Sequence, residues 1–225
     1  MKTCVIPARG GSKRILRKNI RQFHGRPMIG WSITAALDSG LFDRVVVSTD
    51  DDQICEVARA YGAEVPFIRP KHLADDHATT MPVIAHAIDA LALSEKDPVC
   101  CLYATAPFVQ GNDLEEGLQL LKSGARFTMS VSRFDYPIQR ALRRGPDGAV
   151  CMMDPTQIHV RSQDLEPAWH DAGQFYWGLA SAWATDQNIF SAGAHGVAIP
   201  SNRVVDIDTL EDWTRAEALF QALYK

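Results

Sequence analysis

Short apolar runs rich in β-branched residues alternate along this chain with segments of helical character. Such alternation leaves few folds open. Residues 2–7 (KTCVIP), 44–48 (RVVVS), 98–103 (PVCCLY) and 126–132 (RFTMSVS) read as strands. Between them, residues 27–39, 52–61, 80–93 and 112–122 read as helices, and "AEVPFI" (63–68) as a short extended piece. Pro27 suits a first helical turn, and Gly40 and Gly62 suit C-terminal stops. Thr79 or Thr80 marks the start of helix 80–93, and the Asn112/Glu115 spacing predicts a capping box. Strand 98–103 is apolar on both faces, as a central strand is. The pattern predicts a three-layer α/β fold with a mainly parallel sheet. Ligands in such sheets bind beyond the carboxyl ends of the strands.

Residues 133–170 break the rhythm with Pro137, Gly145, Pro146, Gly148, Pro155 and Pro167. They predict an excursion from one domain spanning 1–225, with β-like pieces such as "AVCMM", suited to a dimerisation arm. The pattern resumes with "GQFYWGLA", "GVAIP" and "RVVDID", and Thr209 and Asp212 open a last helix over 210–224. No apolar run approaches the roughly 20 residues that span a bilayer. The N-terminal run is broken by Pro7, so neither signal peptide nor membrane contact is expected, and the expected location is cytoplasmic. The five cysteines, Cys4, Cys55, Cys100, Cys101 and Cys151, form no CxxC pair and predict reduced, mostly buried thiols. The histidines form no recurrent pair; His24, His86 and His170 are expected to be structural or exposed.

Charge distribution narrows the function. The chain carries a formal net charge of −4, and its pI near 6.0 argues against a general nucleic-acid binder. Yet Arg9, Lys13, Arg14, Arg17, Lys18, Arg21 and Arg26 crowd one segment without an acidic residue among them. A basic, glycine-containing loop on an acidic protein points to a small polyanion. A P-loop is excluded, because Gly10-Gly11-Ser12-Lys13 lacks the upstream glycine and the Ser/Thr after lysine; GxGxxG is absent too. The chemistry of phosphate binding still fits. Gly10 and Gly11 let backbone N–H groups approach an anion, Arg9 offers a planar fork, and Lys13 and Lys18 supply point charges. A solvated basic loop is the competing reading.

"VVDIDTLED" sets Asp206 and Asp208 two apart at the end of a predicted strand, so alternation turns both to one face. Two carboxylates opposite a phosphate loop suit Mg²⁺ with phosphate oxygens completing an octahedron; capping of the last helix by Asp208 or Thr209 is the alternative. In "STDDD", Asp50 is a candidate for ligand contact, and Asp51 and Asp52 for the start of the next helix.

"IPARGGSKRI" with "RKNI", "VVVSTDD", "IRPKHLADD", "ATAPF" and "VVDIDTLED" together resemble the CMP-nonulosonic acid synthetases, also known as acylneuraminate cytidylyltransferases. The resemblance runs in order over nearly the whole chain. It implies a Rossmann-like α/β/α nucleotidyltransferase of the nucleotide-diphospho-sugar transferase type. The activity implied is CTP plus a nine-carbon acid giving the CMP-sugar and pyrophosphate, with Mg²⁺ and a homodimer. Nucleotide-binding positions carried over are Ala8, Arg9, Gly10, Gly11, Ser12, Lys13, Lys18, Asn19, Arg69, Ala78 and Thr80. Metal positions are Asp206 and Asp208; these two with Arg9 and Lys18 form the implied catalytic set. Sugar-side positions are Tyr103, Thr105, Gln174, Phe175 and Tyr176, with Arg140 and Arg161 reaching the other subunit's substrate. Strand alternation favours Gln174 and Tyr176 toward ligand over Phe175 and Trp177.

"CLYATAPFV", "FDYPIQRAL" and "HDAGQFYWG" resemble most the branch acting on pseudaminic acid, with sialic and legionaminic acid branches as alternatives. Tyr103 stands where sialic acid enzymes carry a sugar-contacting glutamine. The family commonly has proline after "SKRI" where this chain has Leu16, which loosens the loop. A non-catalytic nucleotide-sugar sensor is the rival from another class; the retained aspartate pair argues against it.

Overall fold

Every strand expected before residue 133 forms, within a residue or two of its expected ends. A computed structural model describes residues 1–76, 78–185, 188–190 and 192–224. β1 (Thr3–Pro7) is followed by a two-strand ribbon, β2 (Gln22–Phe23) and β3 (Arg26–Pro27), and then α1 (Met28–Asp38). β4 (Arg44–Ser48) leads to α2 (Asp52–Ala60), and α3 (Thr80–Ala90) leads to β5 (Pro98–Leu102). α4 (Gly111–Lys122) and β6 (Phe127–Arg133) come next, then a hairpin of β7 (Leu142–Arg144) and β8 (Val150–Met152). β9 (Trp169–Leu179), α5 (Ala180–Thr185), β10 (Ala194–Ala198) and α6 (Leu210–Tyr224) complete the order.

The main sheet runs β10-β6-β9-β5-β1-β4. β1 pairs parallel with β4 and β5, and β10 with β6; β9 alone runs antiparallel, between β5 and β6. Alternation along β1 and β5 sorts side chains between two cores. Cys4, Ile6, Cys100 and Leu102 face α1, α2 and α4, packing on Ile33, Ala58 and Leu118. Val5, Val99 and Cys101 face α3 and α5, packing on Ile84, Ala87 and Trp183. Adjacent Cys100 and Cys101 thus enter opposite cores, and burial pushes both thiols well up. Each such fully buried aliphatic side chain contributes about 1.5–3 kcal/mol. All five cysteines are free thiols, and only Cys151 is exposed. The three layers follow from helices covering both faces of the sheet.

A third cluster ties the N-terminal loop to the C-terminus. Ile15, Phe23 and Met28 pack on Ile207, Trp213, Ala216 and Phe220, so α6 roofs the loop that follows β1.

Some local expectations are corrected. The segment 203–208 is not a sheet strand: β10 stops at Ala198, Ile199 N still donates to Val131 O at 2.8 Å, and Pro200, without an N–H, ends the ladder. A 3₁₀ turn, Ser201–Arg203, redirects the chain, and 204–208 runs extended but unpaired into α6. The capping box of α4 uses Gln110 and Asp113, not Asn112 and Glu115, because the helix begins at Gly111. "AEVPFI" contributes only an isolated bridge, Val46 to Glu64.

β9 carries an irregularity that later matters. Met129 of β6 pairs with Tyr176, whereas Val131 pairs with Asp171. The slack is taken up at Gly173, whose φ is +63°, and Ser130 Oγ accepts from the N–H groups of Gln174 (3.1 Å) and Phe175 (3.3 Å). Arg133 and Trp169 are still paired in the main sheet, so the chain between β6 and β9 spans 134–168; it carries the β7–β8 hairpin, with Tyr136, Leu142, Val150, Met153 and Ile158 exposed on it.

Candidate active site

The carboxyl ends of β1, β4 and β5 open onto a cavity of about 410 Å³. The loop after β1 supplies Arg9, Ser12, Lys13, Arg14, Ile15, Lys18 and Asn19; the opposite wall is Arg69, Ala78, Thr79, Thr80 and Val83; Tyr103, Ala104, Thr105 and Asp208 close it. Ala8, Gly10 and Gly11 belong to the loop without lining the cavity.

The loop is tied down at several points. Asn19, largely buried, donates from Nδ2 to Arg9 O at 3.0 Å, closing the loop on itself. Gly10 N donates to Asp50 Oδ1 at 3.0 Å. Arg17 sits at φ 55°, a conformation that costs a non-glycine residue of order 1 kcal/mol. Its guanidinium donates to both oxygens of Asp51, at 2.5 and 3.0 Å, and to Gln53 Oε1. Asp51 in turn caps α2 by accepting from Ile54 N at 3.0 Å. The Arg17 hydrogen bonds hold its carboxyl below the usual range. Arg17 is therefore an anchor of the loop, not a cavity cation. Asp51 and Asp52 begin α2 as expected, whereas Asp50, expected to contact ligand, accepts from Gly10 N and is not among the residues lining the cavity.

Arg69 is the deepest cation. It is buried, donates from Nε to Ser48 Oγ (3.1 Å) and from Nη2 to Ser48 O, and burial lowers its pKa to about 10. Half-buried Arg9 and exposed Lys13 share an acceptor that the sequence did not single out. Arg9 Nη1 lies 2.6 Å from Asp76 Oδ1, and Lys13 Nζ 2.5 Å from Asp76 Oδ2. Their hydrogen bonds, Lys13's first, hold the Asp76 carboxyl low.

The aspartate pair straddles two cavities. Lys18 Nζ donates to Ile207 O (2.6 Å) and to Asp208 Oδ1 (3.3 Å), and Arg14 lies 2.8 Å from Asp208 Oδ2. Ile207 points into the core between the two aspartates. Thr209, not Asp208, caps α6 in a reciprocal pair with Asp212: Thr209 N donates to Oδ2 at 2.9 Å and Asp212 N to Thr209 Oγ1 at 3.2 Å. Asp206 lines a second cavity, of about 1060 Å³. Desolvation on its inner side, followed by the charge of Asp208, raises its pKa.

Tyr103 and Thr105 line both cavities. The Tyr103 hydroxyl shares a hydrogen bond with Thr80 Oγ1 at 2.8 Å, and burial raises the phenol to about 12. Behind it, Tyr176 packs with its ring tilted by 58° at 5.4 Å between centroids and donates its O–H to Asp171 Oδ2 at 2.6 Å. Asp135, Asp171 and Arg215 bring charge to this second cavity, and His170 lines it too.

Not every candidate gathers here. Gln174 lines neither cavity; it is buried, donates from Nε2 to Arg203 O at 2.6 Å, and its Oε1 has no partner. Phe175 and Trp177 face one core, while Tyr176, on the opposite face, packs in the other core and also lines the second cavity; alternation thus separates Tyr176 from Phe175 and Trp177 but does not bring Gln174 to a cavity. Arg140 and Arg161 stay on the excursion, Arg140 donating to Val160 O at 2.6 Å and Arg161 pairing with Asp164 at 2.7 Å.

A parallel-sheet fold with a basic loop at the strand ends, a facing acidic pair and an adjoining cavity defines a nucleotidyltransferase. The sequence model of the cytidylyltransferase family matches residues 3–143, and the chain belongs to that family. It is 45% identical to a pseudaminic acid cytidylyltransferase of Campylobacter jejuni, over 97% of this chain and 95% of the relative. It is 33% identical to a CMP-N,N'-diacetyllegionaminic acid synthase of Legionella pneumophila, over 96% and 95%. Its fold is that of a CMP:2-keto-3-deoxy-manno-octonic acid synthetase solved with CTP, at a TM-score of 0.72 and 17% identity over 99% of each chain.

Proposed function

We propose that the chain is a CTP-dependent cytidylyltransferase that transfers CMP to pseudaminic acid and releases pyrophosphate. The observation that carries this is the meeting of a cationic cavity and a second, larger cavity at Tyr103 and Thr105. The triphosphate fits the cationic side, with Arg9, Ser12, Lys13 and Lys18 on its oxygens and Arg69, Ala78 and Thr80 toward the nucleoside. The sugar fits the second cavity, and its anomeric hydroxyl attacks the α-phosphorus in line. Cations on the phosphate and on the leaving pyrophosphate stabilise the developing charge, and positioning lowers the barrier further.

Asp206 and Asp208 fit a divalent cation of the Mg²⁺ kind. They are two hard oxygen donors, Asp208 lining the nucleotide cavity and Asp206 the adjoining one, and burial followed by the charge of Asp208 makes Asp206 harder to ionise. Bound there, the ion supplies Lewis-acid neutralisation of phosphate charge. A homodimer through the apolar excursion is part of the same proposal, as is a cytoplasmic location; among the described residues no helix is long and apolar enough to cross a membrane.

Pyrophosphate release tests the reading. CTP, UTP, ATP and GTP are crossed with pseudaminic, legionaminic and N-acetylneuraminic acids. Release with CTP and pseudaminic acid is expected; release only with another acid overturns the sugar assignment, and CTP binding without release under any acid favours a sensor. Asp76 offers a further check. Its carboxylate occupies the cations that the phosphates need, so Asp76→Asn is expected to bind CTP about threefold to tenfold more tightly in calorimetry. Weaker binding would show that Asp76 aims these cations instead of competing for them.

A further inference from the structure

The second cavity contains a carboxylate without a part in the chemistry above. Asp171 is exposed, lines that cavity and shares it with Tyr103, Thr105 and Asp206. We propose that Asp171 reads the acceptor sugar, its carboxylate accepting a hydrogen bond from one O–H or N–H substituent of the nonulosonic acid. The inference rests on the functional reading given above.

Three observations carry it. The first is pre-organisation. Oδ1 accepts from Gly173 N at 2.8 Å and Oδ2 from the Tyr176 hydroxyl at 2.6 Å. Tyr176 is itself almost wholly buried and packed on Tyr103. The carboxylate is therefore fixed, yet an ionised carboxyl has about four acceptor sites and these bonds use two. The second is the backbone. A regular β9 would not hold Asp171 in this turn; the register jump against β6 and the positive φ of Gly173 do. Bulges of this kind re-aim side chains beside functional sites. The third is charge. On the functional reading above the ligand of this cavity is an acid, and Asp171 and Asp135 repel its carboxylate. What Asp171 can hold is a donor, and it thereby fixes which face of the sugar turns toward β9. An isomer presenting no donor there leaves the carboxylate unpaired, which is the basis of strong discrimination.

The connection to the nucleotide side runs through hydroxyls. Tyr176 holds Asp171, Tyr103 packs on Tyr176, and Tyr103 bonds to Thr80 in the nucleotide cavity. Loss of Asp171 alone should nevertheless leave CTP untouched, since Asp171 does not line that cavity.

The test is steady-state kinetics on the full chain with both substrates varied, beside thermal melts. Wild type is assayed first against the three acids, and the acid it turns over fastest is used throughout. Asp171→Asn keeps size and an acceptor for Gly173 N. It is expected to raise KM for the sugar at least about tenfold, to leave KM for CTP within about twofold, and to relax the preference among the acids. Tyr176→Phe, which releases one oxygen of Asp171, is expected to raise the same KM by a smaller factor. An unchanged sugar KM in Asp171→Asn overturns the proposal. So does a parallel rise in both KM values with a fall in melting temperature, which would leave Asp171 as a turn cap alone. Failure of wild type to turn over any acid overturns the functional reading itself, a result separate from either of these.

Discussion

Asp208→Ala is expected to lower kcat by at least about a hundredfold while leaving the melting temperature within about 2 °C of wild type. Three features set that size. Among the described residues Asp208 is the only carboxylate lining the nucleotide cavity, where it faces Lys18 at 3.3 Å and Arg14 at 2.8 Å. Its charge also acts on Asp206, so the alanine leaves a single carboxylate to hold a cation. Helix capping, meanwhile, belongs to Thr209 and Asp212, so Asp208 carries little of the fold. Asp212→Ala supplies the converse: loss of the capping box with Thr209 is expected to lower the melting temperature, with turnover at temperatures below the melt close to normal. Pyrophosphate release and differential scanning fluorimetry on both variants separate the two roles. Near-normal turnover in Asp208→Ala would remove the metal assignment, and a large loss of stability would return Asp208 to the helix start.

The sheet was legible because its period survives burial on both faces. Runs such as 45–47 and 98–103 are apolar at every position, as strands of a sheet covered on both faces are. The basic loop was legible too, since charge without acidic partners is visible in one dimension. Its partners were not. Asp76 lies far along the chain from Arg9, in a stretch without periodicity, and only folding brings its carboxylate within 2.6 Å of that guanidinium. Segment 203–208 looks like a strand by composition, but Pro200 and the Arg203–Asp113 ion pair, at 2.6 Å, carry it away from the sheet edge. Asp171 was hidden for a related reason. Alternation through "HDAGQFYWG" assumes a regular strand, and the turn at Gly173 breaks the count between Asp171 and Tyr176.

The two glycines of the phosphate loop look equivalent in sequence and are not so in space, which gives the other large expected effect. A Cβ on Gly10 would stand 2.6 Å from Asp51 Oδ2 and 2.9 Å from Asp51 Cβ; one on Gly11 would meet nothing within 4 Å. Asp51 cannot withdraw cheaply, because Arg17 holds both its oxygens and Ile54 N holds one of them. Gly10→Ala must therefore either break the anchor between loop and α2 or push the loop outward. The first route costs about 1–3 kcal/mol. The second also detaches Gly10 N from Asp50 and carries Ser12 and Lys13 away from the cavity. A displacement of about 1 Å at such a site is enough for a hundredfold loss, so kcat/KM for CTP is expected to fall by about that factor. Gly11→Ala is expected to melt like wild type, within about 0.5 kcal/mol, which makes its CTP kinetics a clean probe of how closely phosphate approaches the backbone. Unaltered kinetics in Gly10→Ala would mean that the loop and α2 can separate freely. The Arg17–Asp51 contact would then be incidental to the shape of the phosphate site.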